Sequence, residues 1–177
     1  MRSKKDLIQF EYYGLRKVIS GGQCGSDRGG IEAAKNFGIE TGGTAPAGWR
    51  TWYGPAPELK EFGLTEHRSS EYPPRTESNV RQSDGTLIVA SNLNSPGITL
   101  TRNLCNKFSR PFFSVRPADG FSPNDVVSFL VSHNISVLNV AGNRDKNPSI
   151  TTHLDFTQKL LTQVFEIMAD NKLIIKP

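Results

Sequence analysis

Cysteine and histidine are scarce in this sequence. Its 177 residues include two cysteines, Cys24 and Cys105, which do not form a Cys-x-x-Cys pair. The three histidines, His67, His133 and His153, are widely separated along the chain. A disulfide scaffold and a structural zinc site are therefore not expected. The scarcity favours a reducing compartment, and we expect each histidine to be a surface residue.

Long apolar runs are also absent. No segment approaches the roughly 20 apolar residues that a membrane-spanning helix needs. The basic residues 1–5 are followed by a mixed stretch that lacks the apolar run of a signal peptide. We therefore expect a cytoplasmic protein that does not bind membranes. The net charge of +4 and the isoelectric point near 9.2 slightly favour an anionic ligand.

Short apolar runs alternate with amphipathic segments along the chain. This alternation predicts a Rossmann-like α/β fold, with a mostly parallel sheet and helices on both faces. The length fits one domain, which we assign to residues 17–177. Residues 1–16 form an N-terminal arm with a candidate strand at 7–13. The predicted strands cover 17–20, 39–42, 64–67, 85–90, 111–115 and 136–141, and the predicted helices 29–37, 75–83, 98–108, 123–134 and 151–169.

The loop after the first predicted strand has the composition of a phosphate site. In parallel sheets, ligands bind beyond the carboxyl ends of the strands. The glycines between Ser20 and Arg28 let the backbone approach a ligand, and the helix that follows favours a phosphate. The loop is neither the Gly-x-Gly-x-x-Gly fingerprint nor a Walker A loop. Asp27 has the alternative role of a helix N-cap, and Arg28 that of a surface residue.

Four further strand-end loops supply candidates for the same crevice. Arg75 begins a predicted helix, where an arginine can bind a phosphate through two hydrogen bonds, although an exposed polar helix is the alternative. Trp49, Trp52 and Tyr53 are candidates for stacking on a base, with ordinary packing as the alternative. The predicted ligand-binding residues are Gly21, Gly22, Gln23, Cys24, Gly25, Asp27, Arg28, Gly43, Arg75, Asn79, Gly97, Thr99, Asn139 and Gly142.

The order of these motifs resembles that of the molybdenum-carrier family. The resemblance covers residues 17–168 and is carried by Ile19 to Gln23 with Gly25, Asp27 and Arg28, by Gly42-Gly43 with Pro46 and Gly48, by Tyr72, Arg75-Thr76, Asn79-Val80 and Ser83-Asp84, and by Leu138 to Gly142. It implies membership of a Rossmann-like superfamily that includes the lonely-guy phosphoribohydrolases and DprA-type single-strand-binding proteins. It also implies that the ligand is a nucleotide, a nucleotide-derived signal or a molybdopterin-type cofactor, and that the protein can form a homodimer. The chain departs from the family pattern at Cys24, Ala47 and Ile98, where Thr, Lys and Gly are usual.

Three functional hypotheses follow. The first is a carrier, sensor or sequestering protein for a phosphorylated small molecule. The second is a phosphoribohydrolase that cleaves the N-glycosidic bond of a nucleoside monophosphate. Lonely-guy proteins use a glutamate soon after the loop that Thr99 matches, whereas no carboxylate follows Thr99 here, so Asp27 is the only catalytic candidate. The third, single-strand nucleic-acid binding, requires a dense basic groove, but the basic residues are scattered. We therefore favour ligand binding over catalysis.

Overall fold

The structure, a computed structural model, describes residues 12–120 and 122–177. Within these ranges the chain forms eight strands and five α-helices. In chain order they are β1 (Lys17–Ser20), α1 (Ser26–Phe37), β2 (Glu40–Ala45), β3 (Arg50–Thr51), β4 (Gly54–Pro55), β5 (Leu64–Glu66), α2 (Tyr72–Gln82), β6 (Gly85–Val89), α3 (Pro96–Lys107), β7 (Phe112–Val115), α4 (Pro123–Ser132), β8 (Val137–Gly142) and α5 (Thr152–Asp170). Short 3-10 segments occur at Ala47–Trp49, Pro57–Phe62 and Pro117–Asp119.

Six of these strands form one parallel sheet in the order β5-β2-β1-β8-β6-β7, and β3 pairs with β4 in a small antiparallel hairpin. Helices α1 and α4 pack against α5, whereas α2 packs against α3. The connections β1-α1-β2 and β6-α3-β7 run in opposite directions across the sheet. Because such connections are right-handed, the two helix groups cover opposite faces. The predicted Rossmann-like fold is confirmed.

The main core lies between the sheet and the layer of α1, α4 and α5. Leu161, Phe165 and Met168 of α5 have no exposed surface and share one core cluster with Leu138 and Val140 of β8. The apolar side chains that lie at helical spacing along α5 are therefore the ones that pack on the sheet.

A second core cluster forms around Trp49. It includes Ile31 of α1, Ala45 of β2 and Leu59, and the Trp49 side chain is 8% exposed. Trp49 is therefore a packing residue, and the hypothesis that it stacks on a ligand base is wrong.

The elements lie close to their predicted positions, and the differences at helix starts have local causes. Helix α1 begins at Ser26 instead of 29, because the Gly29 N–H donates to the Gly25 carbonyl at 3.0 Å and so closes the first turn. Helix α2 begins at Tyr72 instead of 75 and includes Pro73 and Pro74 in its first turn. Proline is favoured there, since its missing N–H would have no partner within the helix.

The end of the predicted N-terminal arm packs into the domain. Leu15 has no exposed surface, and its backbone bonds to Leu173 and Ile175 near the C-terminus. The candidate strand at 7–13 lies mostly outside the described residues. Within the described ranges, no helix combines the length and the apolar character needed to cross a bilayer.

Candidate ligand-binding crevice

The candidate site is a crevice at the carboxyl end of the sheet. The loop after β1 leads to α1 on one face, the loop after β6 leads to α3 on the other, and the end of β8 lies between them. Neighbouring strands are about 4.8 Å apart, so the two loops leave the sheet roughly 10 Å from each other. Open α/β sheets bind ligands at such a reversal of strand order.

The floor of the crevice is closely packed. Ser26 Oγ donates to the Val89 carbonyl at 2.7 Å, and the Ser26 N–H donates to the Asn143 carbonyl at 3.1 Å. A Cβ at Gly142 would overlap the Val89 carbonyl oxygen, and a Cβ at Gly25 would overlap the Asn143 carbonyl. These two predicted site residues therefore permit the close approach of three loops.

Arg75 reaches from α2 over the loop after β1. Its Nη1 lies 3.2 Å from Asp27 Oδ2, and the two side chains are 13% and 5% exposed, respectively. A Cβ at Gly21 would overlap the guanidinium, so the missing side chain at this position is what makes room for Arg75. Arg75 Nε is buried and has no hydrogen-bond partner among the described residues. The fold thus brings Gly21, Asp27 and Arg75 together and leaves one guanidinium donor unused.

The Asp27 carboxyl group is enclosed by the loop and by Arg75. Burial raises the pKa of Asp27 above the usual aspartate value, while the Arg75 charge and the N–H groups of Gln23 and Gly21 oppose that rise. The Gln23 N–H lies 3.3 Å from Asp27 Oδ2. Ionised Asp27 therefore depends on Arg75 for its charge compensation.

The amides of this loop already have internal acceptors. The Gly22 N–H donates to Ser20 Oγ at 3.1 Å, and the Cys24 N–H donates to Gln23 Oε1 at 3.1 Å. At the start of α1, the N–H groups of residues 26 and 28 bind main-chain carbonyls. This differs from the expectation that the loop and the helix start present free N–H groups to a phosphate. The cationic group that covers this loop in the described structure is the Arg75 guanidinium.

Gln23 and Cys24 join the loop to its neighbours. Gln23 Oε1 also accepts a hydrogen bond from the backbone N–H of Trp52 at 2.8 Å, and Cys24 Sγ donates to the Asp145 carbonyl at 3.2 Å. Burial raises the pKa of the Cys24 thiol to about 11, with smaller contributions from the charges of Asp27 and Asp145. Cys24 is therefore a protonated thiol at neutral pH, and its chemistry is that of a hydrogen-bond donor.

Arg28 is not brought to Arg75. Its Nε lies 2.7 Å from Glu32 Oε1, its Nη1 lies 3.4 Å from Glu58 Oε1, and its guanidinium sits 4.8 Å from the centre of the Phe62 ring. The two carboxylates therefore pair with the Arg28 guanidinium, which lies beside the second core cluster.

Two predicted ligand residues hold the fold together. Both polar atoms of the Asn79 amide bond to the backbone of Thr44, at 2.8 Å to its N–H and 2.9 Å to its carbonyl. Asn139 Nδ2 donates to Thr86 Oγ1 at 3.2 Å inside the sheet. Both asparagine side chains are buried, and their partners lie within the protein. Asn79 therefore fixes α2, and with it Arg75, against β2.

Two predicted glycines occupy tightly packed positions around the loop. A Cβ at Gly22 would press on the side chain of Leu59, and a Cβ at Gly43 would overlap the backbone of Ser20. Gly43 also has a φ of 123°, which a residue with a side chain rarely adopts. Gly43 therefore allows β2 to approach the loop after β1.

The start of α3 forms the opposite wall of the crevice. Ser95 precedes this helix, but its Oγ accepts from Asn143 Nδ2 at 3.2 Å and makes no capping bond. Gly97 and Thr99 are exposed in the first turn, and open space surrounds Gly97. The first turn of α3 thus has no side-chain cap, which leaves the positive end of its dipole open to an anion.

An aromatic platform lies beside the crevice. Trp52 and Tyr53, in the turn of the β3-β4 hairpin, are each 47% exposed. The Arg144 guanidinium lies 4.0 Å from the centre of the Trp52 ring. Base stacking stays a prediction for these two residues.

One polar cluster at the same sheet edge was not predicted. Ser91 Oγ lies 2.9 Å from His153 Nε2, and His153 Nδ1 lies 2.8 Å from Asp145 Oδ1. The His153 side chain is 14% exposed, so the expectation that it is a surface residue is wrong. In the sequence, Ser91 directly follows the predicted strand at 85–90, and Asp145 comes soon after the predicted strand at 136–141. These positions at strand ends are the available clue to the cluster. The described ranges contain no group of three or more His, Cys, Asp and Glu residues placed to hold a metal ion.

Comparison with known proteins agrees with this architecture. The model of the Circularly permutated YpsA SLOG family matches residues 18–165, which span most of α5 and the parallel sheet except for Lys17. The chain belongs to this family. No curated protein matches the chain.

A solved structure supports the fold and the resemblance to molybdenum carriers. The crystal structure of a protein described as a "Putative molybdenum carrier protein", from Syntrophus aciditrophicus SB, superposes with a TM-score of 0.75. The two sequences are 36% identical, and the match covers 88% of this chain and 97% of the other. The resemblance inferred from the motifs is therefore confirmed.

Proposed function

We propose that this SLOG-family protein binds a phosphorylated small molecule, such as a nucleotide or a nucleotide-derived signal, as a carrier, sensor or sequestering protein. The phosphate would lie against the Arg75 guanidinium, which itself covers Gly21. The rest of the ligand would extend across the end of β8 toward the start of α3.

The proposal rests on the buried Arg75 Nε, which has no hydrogen-bond partner among the described residues. A guanidinium with a buried Nε that lacks a partner is costly unless a ligand supplies an acceptor. A phosphate oxygen is such an acceptor, and an arginine binds it with charge-assisted hydrogen bonds. Because Gly21 has no side chain, the guanidinium packs directly over the loop after β1.

The opposite wall offers a second favourable region for negative charge. The uncapped start of α3 carries a positive partial charge, and it follows β6, roughly 10 Å from the end of β1. That distance suits a ligand with two polar ends better than inorganic phosphate alone. Trp52 and Tyr53 add exposed aromatic surface beside the loop, which suits a base.

The name of the Syntrophus protein raises a related ligand. A molybdopterin-type cofactor also carries a phosphate, so the same cationic group would bind it. Molybdate alone is an oxyanion without the second end. The experiment therefore has to separate nucleotides, pterin phosphates and molybdate.

Thermal unfolding with a ligand panel tests the proposal. Wild-type protein is melted with nucleoside monophosphates, with the matching nucleosides, with a pterin phosphate, with inorganic phosphate and with molybdate, and native mass spectrometry identifies any co-purified ligand. We expect a phosphorylated compound to raise the Tm, because a ligand that binds only the native state stabilises it by mass action. The matching nucleosides should have little effect. Equal shifts with nucleoside and nucleotide would contradict a phosphate site.

A further inference from the structure

Ser91, His153 and Asp145 form a linked chain of hydrogen bonds from three separate segments. Ser91 follows β6 and is exposed, His153 lies in the first turn of α5, and Asp145 follows β8. The bonds measure 2.9 Å from Ser91 Oγ to His153 Nε2 and 2.8 Å from His153 Nδ1 to Asp145 Oδ1. The cluster shares no residue with the Asp27–Arg75 pair and lies in the same crevice, on the part of the sheet edge formed by β8 and β6.

The surroundings of Asp145 fix the orientation of the imidazole. The Asp145 side chain is 5% exposed and accepts the backbone N–H groups of His153 and Leu154, each at 3.0 Å. An ionised carboxylate can only accept hydrogen bonds, so His153 Nδ1 carries a proton toward it. His153 Nε2 is then the acceptor for the Ser91 hydroxyl proton. This is the arrangement in which a histidine acts as general base toward a serine.

We propose that Ser91 is a nucleophilic hydroxyl that accepts the acyl group of a small ester, with His153 as its base and Asp145 as a positioning residue. In the first step Ser91 Oγ bonds to the ester carbonyl carbon while its proton moves to His153 Nε2. The bond to the leaving alkoxide breaks, and the alkoxide takes that proton. In the second step His153 removes a proton from water, the hydroxide attacks the acyl-serine, and the acid leaves as Ser91 recovers its proton.

The chain contains an internal comparison for this geometry. Ser132 Oγ lies 3.1 Å from His133 Nδ1, so it is also a serine beside a histidine. That Nδ1 lies 3.0 Å from the Phe129 carbonyl oxygen, and neither nitrogen of the ring contacts a carboxylate in the described structure. A probe for activated serines should therefore distinguish Ser91 from Ser132.

Covalent labelling of the purified full chain tests the proposal. Wild-type protein is treated with a fluorophosphonate probe, and the labelled peptide is identified by mass spectrometry. The probe phosphorus bonds to the serine oxygen, fluoride leaves, and the serine proton is taken up by His153. We expect one label at Ser91, none in Ser91→Ala, and at least roughly 100-fold slower labelling in His153→Gln and Asp145→Asn. Ser132→Ala is the matched control and should label like wild type.

The variants also have to distinguish an activated Ser91 from a cluster that only caps the start of α5. Asp145→Asn keeps an oxygen acceptor for the Leu154 N–H but places its NH₂ group toward His153 Nδ1 and the His153 backbone N–H. If the cluster only stabilises the start of α5, labelling of the folded variant should be unchanged. p-Nitrophenyl acetate supplies the second readout, as a burst of p-nitrophenolate that depends on Ser91. Labelling that is absent from wild type, that persists in Ser91→Ala, or that is equal at Ser132 would overturn the proposal. None of these readouts requires a phosphorylated ligand, so this result and the result for the Arg75 site are independent.

Discussion

Replacing Arg75 by alanine should destabilise the protein as well as weaken its site. The substitution leaves the Asp27 carboxyl group, 5% exposed, without its cationic partner. Breaking a buried ion pair from one side costs about 3–5 kcal/mol. Because the Arg75 side chain is 13% exposed and Asp27 keeps the Gln23 N–H, we expect the lower end, about 3 kcal/mol near pH 8. For a chain of this size that is a fall in Tm of roughly 6–12 °C.

The loss should depend on pH in a defined direction. Burial raises the folded-state pKa of Asp27 and Arg75 opposes the rise, so Arg75→Ala raises that pKa further. A group whose pKa is raised on folding contributes stability that is fully present below its unfolded pKa and is lost as the pH rises through its folded pKa. The cost of Arg75→Ala should therefore be small at acidic pH and largest near pH 8. Adding Asp27→Asn removes the unpaired charge and should recover most of the loss.

Urea unfolding followed by circular dichroism measures these effects near pH 4.5 and pH 8. Arg81→Ala is the matched control, since Arg81 lies on the same helix with its side chain 64% exposed. An exposed pair of this kind contributes about 0–1 kcal/mol. An equal loss for Arg75→Ala at both pH values, or no recovery with Asp27→Asn, would refute the reasoning.

Three further predictions test other parts of the account. Asn79→Ala leaves the buried N–H and carbonyl of Thr44 without partners and should cost about 2–6 kcal/mol in urea unfolding, because each unsatisfied group costs about 1–3 kcal/mol; a loss below about 0.5 kcal/mol would contradict this role. With its pKa at about 11, Cys24 should react with iodoacetamide near pH 8 about 100-fold more slowly than an ordinary thiol, as followed by peptide mass mapping. Equal rates would mean that the thiol is not shielded. Incubation with nucleoside monophosphates should release free base no faster than a heat-inactivated sample, as measured by chromatography, because no carboxylate follows Thr99. Base release that disappears in Asp27→Asn would instead support the phosphoribohydrolase hypothesis.

The fold was predictable because its strong elements carry strong local patterns. Every residue of β6 is buried, and the sequence there is an apolar run bounded by polar residues. The α5 stripe repeats at helical spacing. The β3-β4 hairpin was missed, because strands of two residues show no periodicity.

The site was only partly predictable, because its chemistry depends on partners distant in sequence. Arg28 and Arg75 look alike as arginines near predicted strand ends, but folding gives Arg28 the carboxylates of Glu32 and Glu58. Arg75 instead pairs with Asp27 and packs on the backbone of Gly21. Similarly, no local pattern shows which strand-end asparagines will find a partner inside the protein.

The Ser91 cluster shows the same limitation more strongly. Its three residues come from loops after different strands and from the start of α5, so their contact is a consequence of the strand order β8-β6. A lone histidine gives no sign in the sequence that a carboxylate and a serine will flank it.

Calorimetric titration of the Asp27→Asn and Asp27→Asn/Arg75→Ala variants tests the central claim most directly. The titrant is the nucleoside monophosphate that stabilises the wild-type protein most. Because both variants lack the Asp27 carboxylate, a difference between them does not come from an unpaired negative charge at that position. We expect Asp27→Asn to bind at least as tightly as wild type, because it removes a negative charge beside the phosphate. The double variant should bind about 10- to 100-fold more weakly, as loss of a charge-assisted hydrogen bond of about 1.5–3 kcal/mol implies. Equal affinity of the two variants would contradict a phosphate site at Arg75.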